Sequence, residues 1–302
     1  MIIWLASYPR SGNSLCRRVL HKVFDVYTYS KHNSRILFRE GKETNEILGY
    51  HRWPEANWSE AYARMKDAPE VFFVKTHDAP EDDAKAIYIV RDGRAASCSY
   101  KQFFNNLHPE ADVSLWDIIA GFATYGSWGS HLSSWTPQKR SDTLVVRYED
   151  MMSTPDREVQ RIAEFCGMTP VYPWENDFDD LHRIHPRFFR RGKTSVEKQI
   201  IPQRELDLFW WLHSHWMLEL DYVQDVPKLQ TPEFELAQAL SADIARKSTF
   251  FYNSLEAKEE AIQSLLGFSG NGGRCKRAVK TVLRGFTLAC HVLQAGDNIS
   301  HR

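Results

Sequence analysis

Lys75 and His77 are two residues apart at the end of the run Glu70-Val71-Phe72-Phe73-Val74-Lys75-Thr76-His77, so on a strand they project to the same face. An amine and an imidazole at that spacing can stabilise a developing negative charge and remove a proton. A second chemical stretch lies at the start, Tyr8-Pro9-Arg10-Ser11-Gly12-Asn13-Ser14, where one Gly, two Ser and an Arg follow an apolar run without a spacer. Strand, tight turn and helix is the arrangement that aims main-chain N–H groups and a helix dipole at an anion. A third is Arg91-Asp92-Gly93-Arg94 with Ser99 further on, where a guanidinium and a hydroxyl can converge on one oxyanion. Taken singly, each also fits a plain structural role: a turn, a strand-end hydrogen bond, solvated charges.

The elements that must position these groups can be read from the apolar pattern. Ile2 to Ala6, Val71 to Val74, Ala86 to Val90 and Thr143 to Arg147 are β-branched and aromatic runs of strand length. Between them, Ser14 to Phe24, the segment from Ala95, a Trp-rich stretch over 113–135 and the segment after Ser153-Thr154-Pro155 carry helical spacing. Alternation of this kind predicts an α/β fold: three layers, with a central parallel sheet flanked by helices and a loop of P-loop type at its first turn. In such sheets ligands bind beyond the carboxyl ends of the strands, where Arg10, Lys75, His77 and Arg91 all fall. Residues 26–66 are expected to be irregular and polar, with Tyr27, Tyr29, Trp53, Trp58 and Tyr62 either lining an acceptor pocket or packing as satellite core.

The chain has 302 residues, with 43% hydrophobic and 25% charged residues and a net charge of −1, which argues against a generally basic nucleic-acid binder. Its five cysteines are scattered with no C-x-x-C pair, and read as free thiols in a reducing compartment. No run has transmembrane length, and the first strand begins at Met1 with no room for a signal peptide, so the expected location is cytoplasmic. Twelve histidines raise the question of a metal, but no H-E-x-x-H pattern occurs and no metal ligand set is assigned.

Together these stretches resemble the cytosolic-type, PAPS-dependent sulfotransferases, which use 3′-phosphoadenosine-5′-phosphosulfate (PAPS) and release 3′-phosphoadenosine-5′-phosphate (PAP). Tyr8 to Ser14 is similar to the family's 5′-phosphosulfate loop, Y-P-K-S-G-[TN]-[TS]-W, with Arg10 in place of Lys and Leu15 in place of the Trp that stacks on adenine. Lys75-Thr76-His77 resembles its K-x-H strand end. Arg91 through Ser99 resembles its 3′-phosphate motif, Tyr148-Glu149-Asp150 its adenine-side Y-E-D, and Arg190-Arg191-Gly192 its late R-K-G. The resemblance implies His77 as general base, with Lys75 and Arg10 stabilising charge. It implies Arg10, Ser11, Gly12, Asn13, Ser14, Arg91, Ser99, Tyr148, Arg190, Arg191 and Gly192 as the nucleotide-binding set, with no metal. The acceptor is left open among small molecules, lipids and glycans.

Two other readings compete: a nucleoside or nucleotide kinase with a degenerate loop, and a non-catalytic protein that binds PAP or PAPS. The motifs end near residue 222, giving an expected domain over 1–224 and a helical C-terminal extension over 225–302. In the extension, residues 274–294 project as a basic amphipathic helix suited either to packing on protein or to a peripheral membrane contact.

Overall fold

The computed structural model describes residues 1–32, 42–107, 113–175, 182–183 and 201–249. Arg190, Arg191, Gly192 and the helix expected over 274–294 lie outside the described residues. The chain divides into two compact units, Met1–Glu233 and Phe234–Arg302. Of the second, the described residues 234–249 are helical.

The first unit is built on a five-stranded sheet in the order β2-β3-β1-β4-β5. Its strands are β1 (Ile2–Ser7), β2 (Thr28–Ser30), β3 (Phe72–Thr76), β4 (Ala86–Val90) and β5 (Thr143–Arg147), and every pairing is parallel. β1 is central and buried at all six positions, as expected of a strand covered on both faces. The register sets Ile3 beside Phe73, Leu5 beside Lys75 and Ile87, and Ala6 beside Tyr88.

One face is covered by α1 (Asn13–Phe24) and, after α2 (Lys42–Ile47), α3 (Trp58–Asp67), α4 (Gly93–Leu107), α5 (Leu115–Ala120), α6 (Trp128–Trp135) and α7 (Tyr148–Ser153), by α8 (Pro155–Cys166). Ile3, Leu5, Phe73, Ile87, Ile89 and Val146 of the sheet pack there with Leu20 and Val23 of α1 and Val159 and Ile162 of α8. On the other face, Trp4 meets Trp58 and Tyr62 of α3, Tyr8 meets Tyr100 of α4, and Tyr88 meets His131 and Trp135 of α6. A long helix, α9 (Gln203–Glu219), packs on α4, α5 and α6. The result is the three-layer α/β arrangement that the alternation implies.

Three local differences from the sequence expectation have physical causes. The segment 26–66 holds β2, α2 and α3; β2 is a three-residue Thr-Tyr-Ser strand with no apolar run to announce it. The Trp-rich stretch is two helices rather than one, because Gly121 and Gly126 both adopt positive φ (86° and 69°) and a capping box at Ser127 restarts the chain. β5 stops at Arg147, and Tyr148 is the first residue of α7 rather than a strand end.

Candidate active site

At the end of β1 the chain turns into α1 within five residues. Arg10 (φ 66°) and Gly12 (φ 107°) make the reversal. Gly12 is sterically required: a Cβ there would come 2.6 Å from Cδ2 of Tyr148. The Asn13 side chain donates to the Leu5 carbonyl at 2.9 Å and to Ser7 Oγ at 3.2 Å, fastening the helix start to the strand it follows. That amide is therefore occupied, and α1 offers its first-turn main-chain N–H groups instead, since Gly12 at the N-cap brings no side-chain bond. Ser11 is fully buried and its Oγ has no partner among the described residues.

Lys75 projects from β3 toward the α1 face, beside Leu5, and carries no ion pair to a described carboxylate. Burial first and then the Arg17 charge bring its ammonium down to about 7, against an opposing pull from Asp78 and with a lesser push from Arg10. Two residues on, His77 Nδ1 lies 2.6 Å from the Ser7 carbonyl and 3.4 Å from Ser7 Oγ. A carbonyl only accepts, so Nδ1 carries the proton and Nε2 keeps its lone pair. Burial, then the Lys75 charge, push the imidazole well below its ordinary pKa, so it is neutral at neutral pH. Tyr125 meets the ring edge-on at 5.3 Å.

Across the loop, Arg91 at the end of β4 donates from Nη1 to the Arg10 carbonyl at 3.2 Å and stacks 4.4 Å over the Tyr148 ring. Arg10 Nε donates to Ser99 Oγ of α4 at 3.4 Å, with its guanidinium over Phe103. Arg10, Ser11, Gly12, Asn13, Ser14, Arg91, Ser99 and Tyr148 are thus brought to one end of the sheet, with Lys75 and His77 beside them. Arg94 is directed elsewhere, forming a 2.6 Å ion pair with Asp92 and lying over Trp210. Glu149 accepts from the Asp92 N–H and the Tyr222 hydroxyl, which bind the start of α7 to the β4 turn. Among the described residues no cluster of three or more His, Cys, Asp or Glu is placed to hold a metal.

Arg17 did not emerge from motif spacing. It is 1% exposed, donates from Nε to Thr28 Oγ1 at 2.8 Å and lies over Tyr50. The signal was available: Asn13, Cys16, Leu20 and Phe24 are the buried stripe of α1, and position 17 falls on it. A charge on an apolar stripe needs a reason.

The sulfotransferase domain model matches residues 2–184, more than half of the chain. The chain belongs to the sulfotransferase family. Sulfotransferase 1A1 of Canis lupus familiaris is 26% identical over 184 residues, covering 54% of this chain and 58% of that protein. The Mus musculus Sulfotransferase 1A1 is 31% identical over 186 residues, covering 55% and 59%. The match thus spans 58% of the first of these relatives. Among solved structures, retinol dehydratase in complex with retinol and PAP superposes with a TM-score of 0.51 at 18% identity, covering 70% of this chain and 80% of that one. Retinol dehydratase with androsterone and PAP gives 0.50 at 16%, covering 77% and 83%. At such identities the likeness is one of fold. No helix of the described residues in this sulfotransferase-family chain is long and apolar enough to cross a membrane.

Proposed function

We propose that the chain transfers a sulfuryl group from PAPS to a hydroxyl or amine of an acceptor, with His77 as general base. The observation that carries this reading is the His77 ring itself. Its Nδ1 is engaged by the Ser7 carbonyl and its charge is suppressed, so Nε2 is a neutral proton acceptor beside an anion-receptive loop. The donor set suits PAPS: first-turn N–H groups, the buried Ser11 hydroxyl, the Arg10 guanidinium in the turn, and Lys75, which has no ion pair to a described carboxylate. PAPS supplies a sulfuryl group already activated by a phosphate leaving group.

The roles proposed for the described residues draw on their positions around the loop, and those for Arg190, Arg191 and Gly192, outside the described residues, on the family's late motif alone. The N–H groups of Gly12 to Ser14 hold the 5′-phosphate, that of Ser11 being donated to the Tyr8 carbonyl at 3.2 Å, and Arg10 and Lys75 neutralise charge on sulfuryl and leaving-group oxygens. Arg91 and Ser99, with Arg190, Arg191 and Gly192, hold the 3′-phosphate. Tyr148 lies beside the adenine, and His77 Nε2 takes the acceptor proton. The monoanionic sulfuryl group needs less neutralisation than a phosphoryl group, so a cationic pocket can serve without a divalent ion.

Thermal-shift measurements against PAP, ATP with Mg²⁺, and buffer test the donor. Stabilisation by PAP is expected, whereas stabilisation by ATP with Mg²⁺ alone would replace this reading with a kinase. Transfer of labelled sulfate from PAPS into a metabolite extract then separates an enzyme from a nucleotide-binding protein and identifies the acceptor class.

A further inference from the structure

The sheet order divides the site. β4 and β5 lie on one side of β1 and carry Arg91 and the approach to Tyr148, while β3 and β2 lie on the other. Arg17 belongs to the second side, bonded to Thr28 at the start of β2; Thr28 pairs with Phe73 of β3, two residues before Lys75 and on the same strand face as it, and the Arg17 charge depresses the Lys75 ammonium. Its Nη2 is buried with no partner among the described residues. Its remaining contacts, Thr28 and the Tyr50 face, are uncharged. Neither Arg17 nor Lys75 forms an ion pair with a described carboxylate. Asp78, which acts on Lys75, is already held by Lys31 at 2.8 Å and His32 at 3.0 Å.

A buried guanidinium with an unused donor, near a second and half-buried cation, is unfavourable unless an anion completes them. A guanidinium is the group best shaped to grip an oxyanion by two parallel bonds. We propose that Arg17 and Lys75 form an oxyanion subsite on the β2–β3 side of the loop, separate from the 3′-phosphate contacts. It rests on the sulfotransferase reading. The oxyanion comes either from the transferring sulfuryl group or from an acidic group on the acceptor; both present sulfonate- or carboxylate-type oxygens to the same fork.

Calorimetry on the full chain tests this with inorganic sulfate as probe. PAP affinity is measured first in wild type, Arg17→Gln and Arg17→Lys, and sulfate is then titrated into each PAP-saturated protein. The expected result is sulfate binding in wild type, weakened about tenfold or more in Arg17→Gln, with PAP affinity and Tm retained. Arg17→Lys keeps the charge but not the fork; it is expected to weaken sulfate several-fold and serves if the Gln variant does not fold. Repeating the titration on PAPS-saturated protein identifies the source: sulfate excluded by PAPS marks the sulfuryl seat, and sulfate still bound in an Arg17-dependent way marks an acceptor acid. Sulfate that fails to bind PAP-loaded wild type, or binds the folded variants equally, overturns the subsite. Absent PAP binding in wild type overturns the donor reading instead.

Discussion

Nη1 of Arg91 donates to the main-chain carbonyl of Arg10, 3.2 Å away, joining residues 81 positions apart. The bond holds the turn after β4 against the turn after β1, so the two anion-receptive stretches keep one spacing. Arg94, three residues later, is instead paired with Asp92. Arg91→Ala is therefore expected to weaken PAP binding by about ten- to a hundredfold, the loss of about 1.5–3 kcal/mol for a charged hydrogen-bonding group. Arg94→Ala should change PAP affinity far less. Isothermal titration of both variants checks the contrast, and equal losses would remove Arg91 from the nucleotide site.

His77→Ala should lose turnover by about 10²–10⁴-fold while keeping PAP affinity, the signature of a missing general base. Labelled-sulfate transfer and PAP titration on the same preparation measure the two quantities. Unchanged turnover would exclude the assignment.

Lys75 titrates near 7 in the ligand-free protein because it is buried beside Arg17 and Arg10. Bringing a polyanion to it raises that pKa, so PAP binding above pH 7 must take up a proton. Affinity should fall about tenfold per pH unit from pH 7 up to the bound-state pKa. Calorimetry in two buffers of different ionisation enthalpy reads the uptake directly, and Lys75→Met should abolish it. The same shift links Lys75 to folding in the ligand-free protein. The folded pKa is depressed from 10.5, so between about 7 and 10.5 the unfolded chain binds more protons and Lys75's contribution to stability rises with pH.

Gly12→Ala places a methyl group 2.6 Å from Tyr148 Cδ2 at a φ of 107°. The backbone alone costs about 1–3 kcal/mol for a non-glycine residue, and the Tyr148 ring must also move. A Tm several degrees below wild type and a weaker PAP complex are expected; a variant with wild-type Tm would mean the loop relaxes at little cost.

Much of the fold that gathers these residues was legible in the sequence. Continuous apolar runs announced β1, β3, β4 and β5, and the groups at their ends fall together because a parallel sheet collects strand ends on one edge. β2 was hidden because Thr28, Tyr29 and Ser30 form a strand through pairing with β3 rather than through apolar content. Arg94 reads from the sequence as part of the basic surroundings of Arg91, and its bond to Asp92 directs it away from the loop. Arg17 was missed although it lies on the apolar stripe of α1, because motif spacing ranks residues within the loop, whereas its position is set one turn into α1 by which face that helix buries. The Asn13 side chain shows the converse case: it sits inside the motif yet serves the strand.

Ser7 links two of the groups discussed above, its carbonyl engaging the His77 ring and its hydroxyl the Asn13 amide. The ring is oriented by a backbone atom that every residue type possesses, so drift at position 7 could alter the loop start without freeing the imidazole. Side-chain changes at this position and on the β2 side accordingly leave the orientation of the His77 ring to the polypeptide backbone itself.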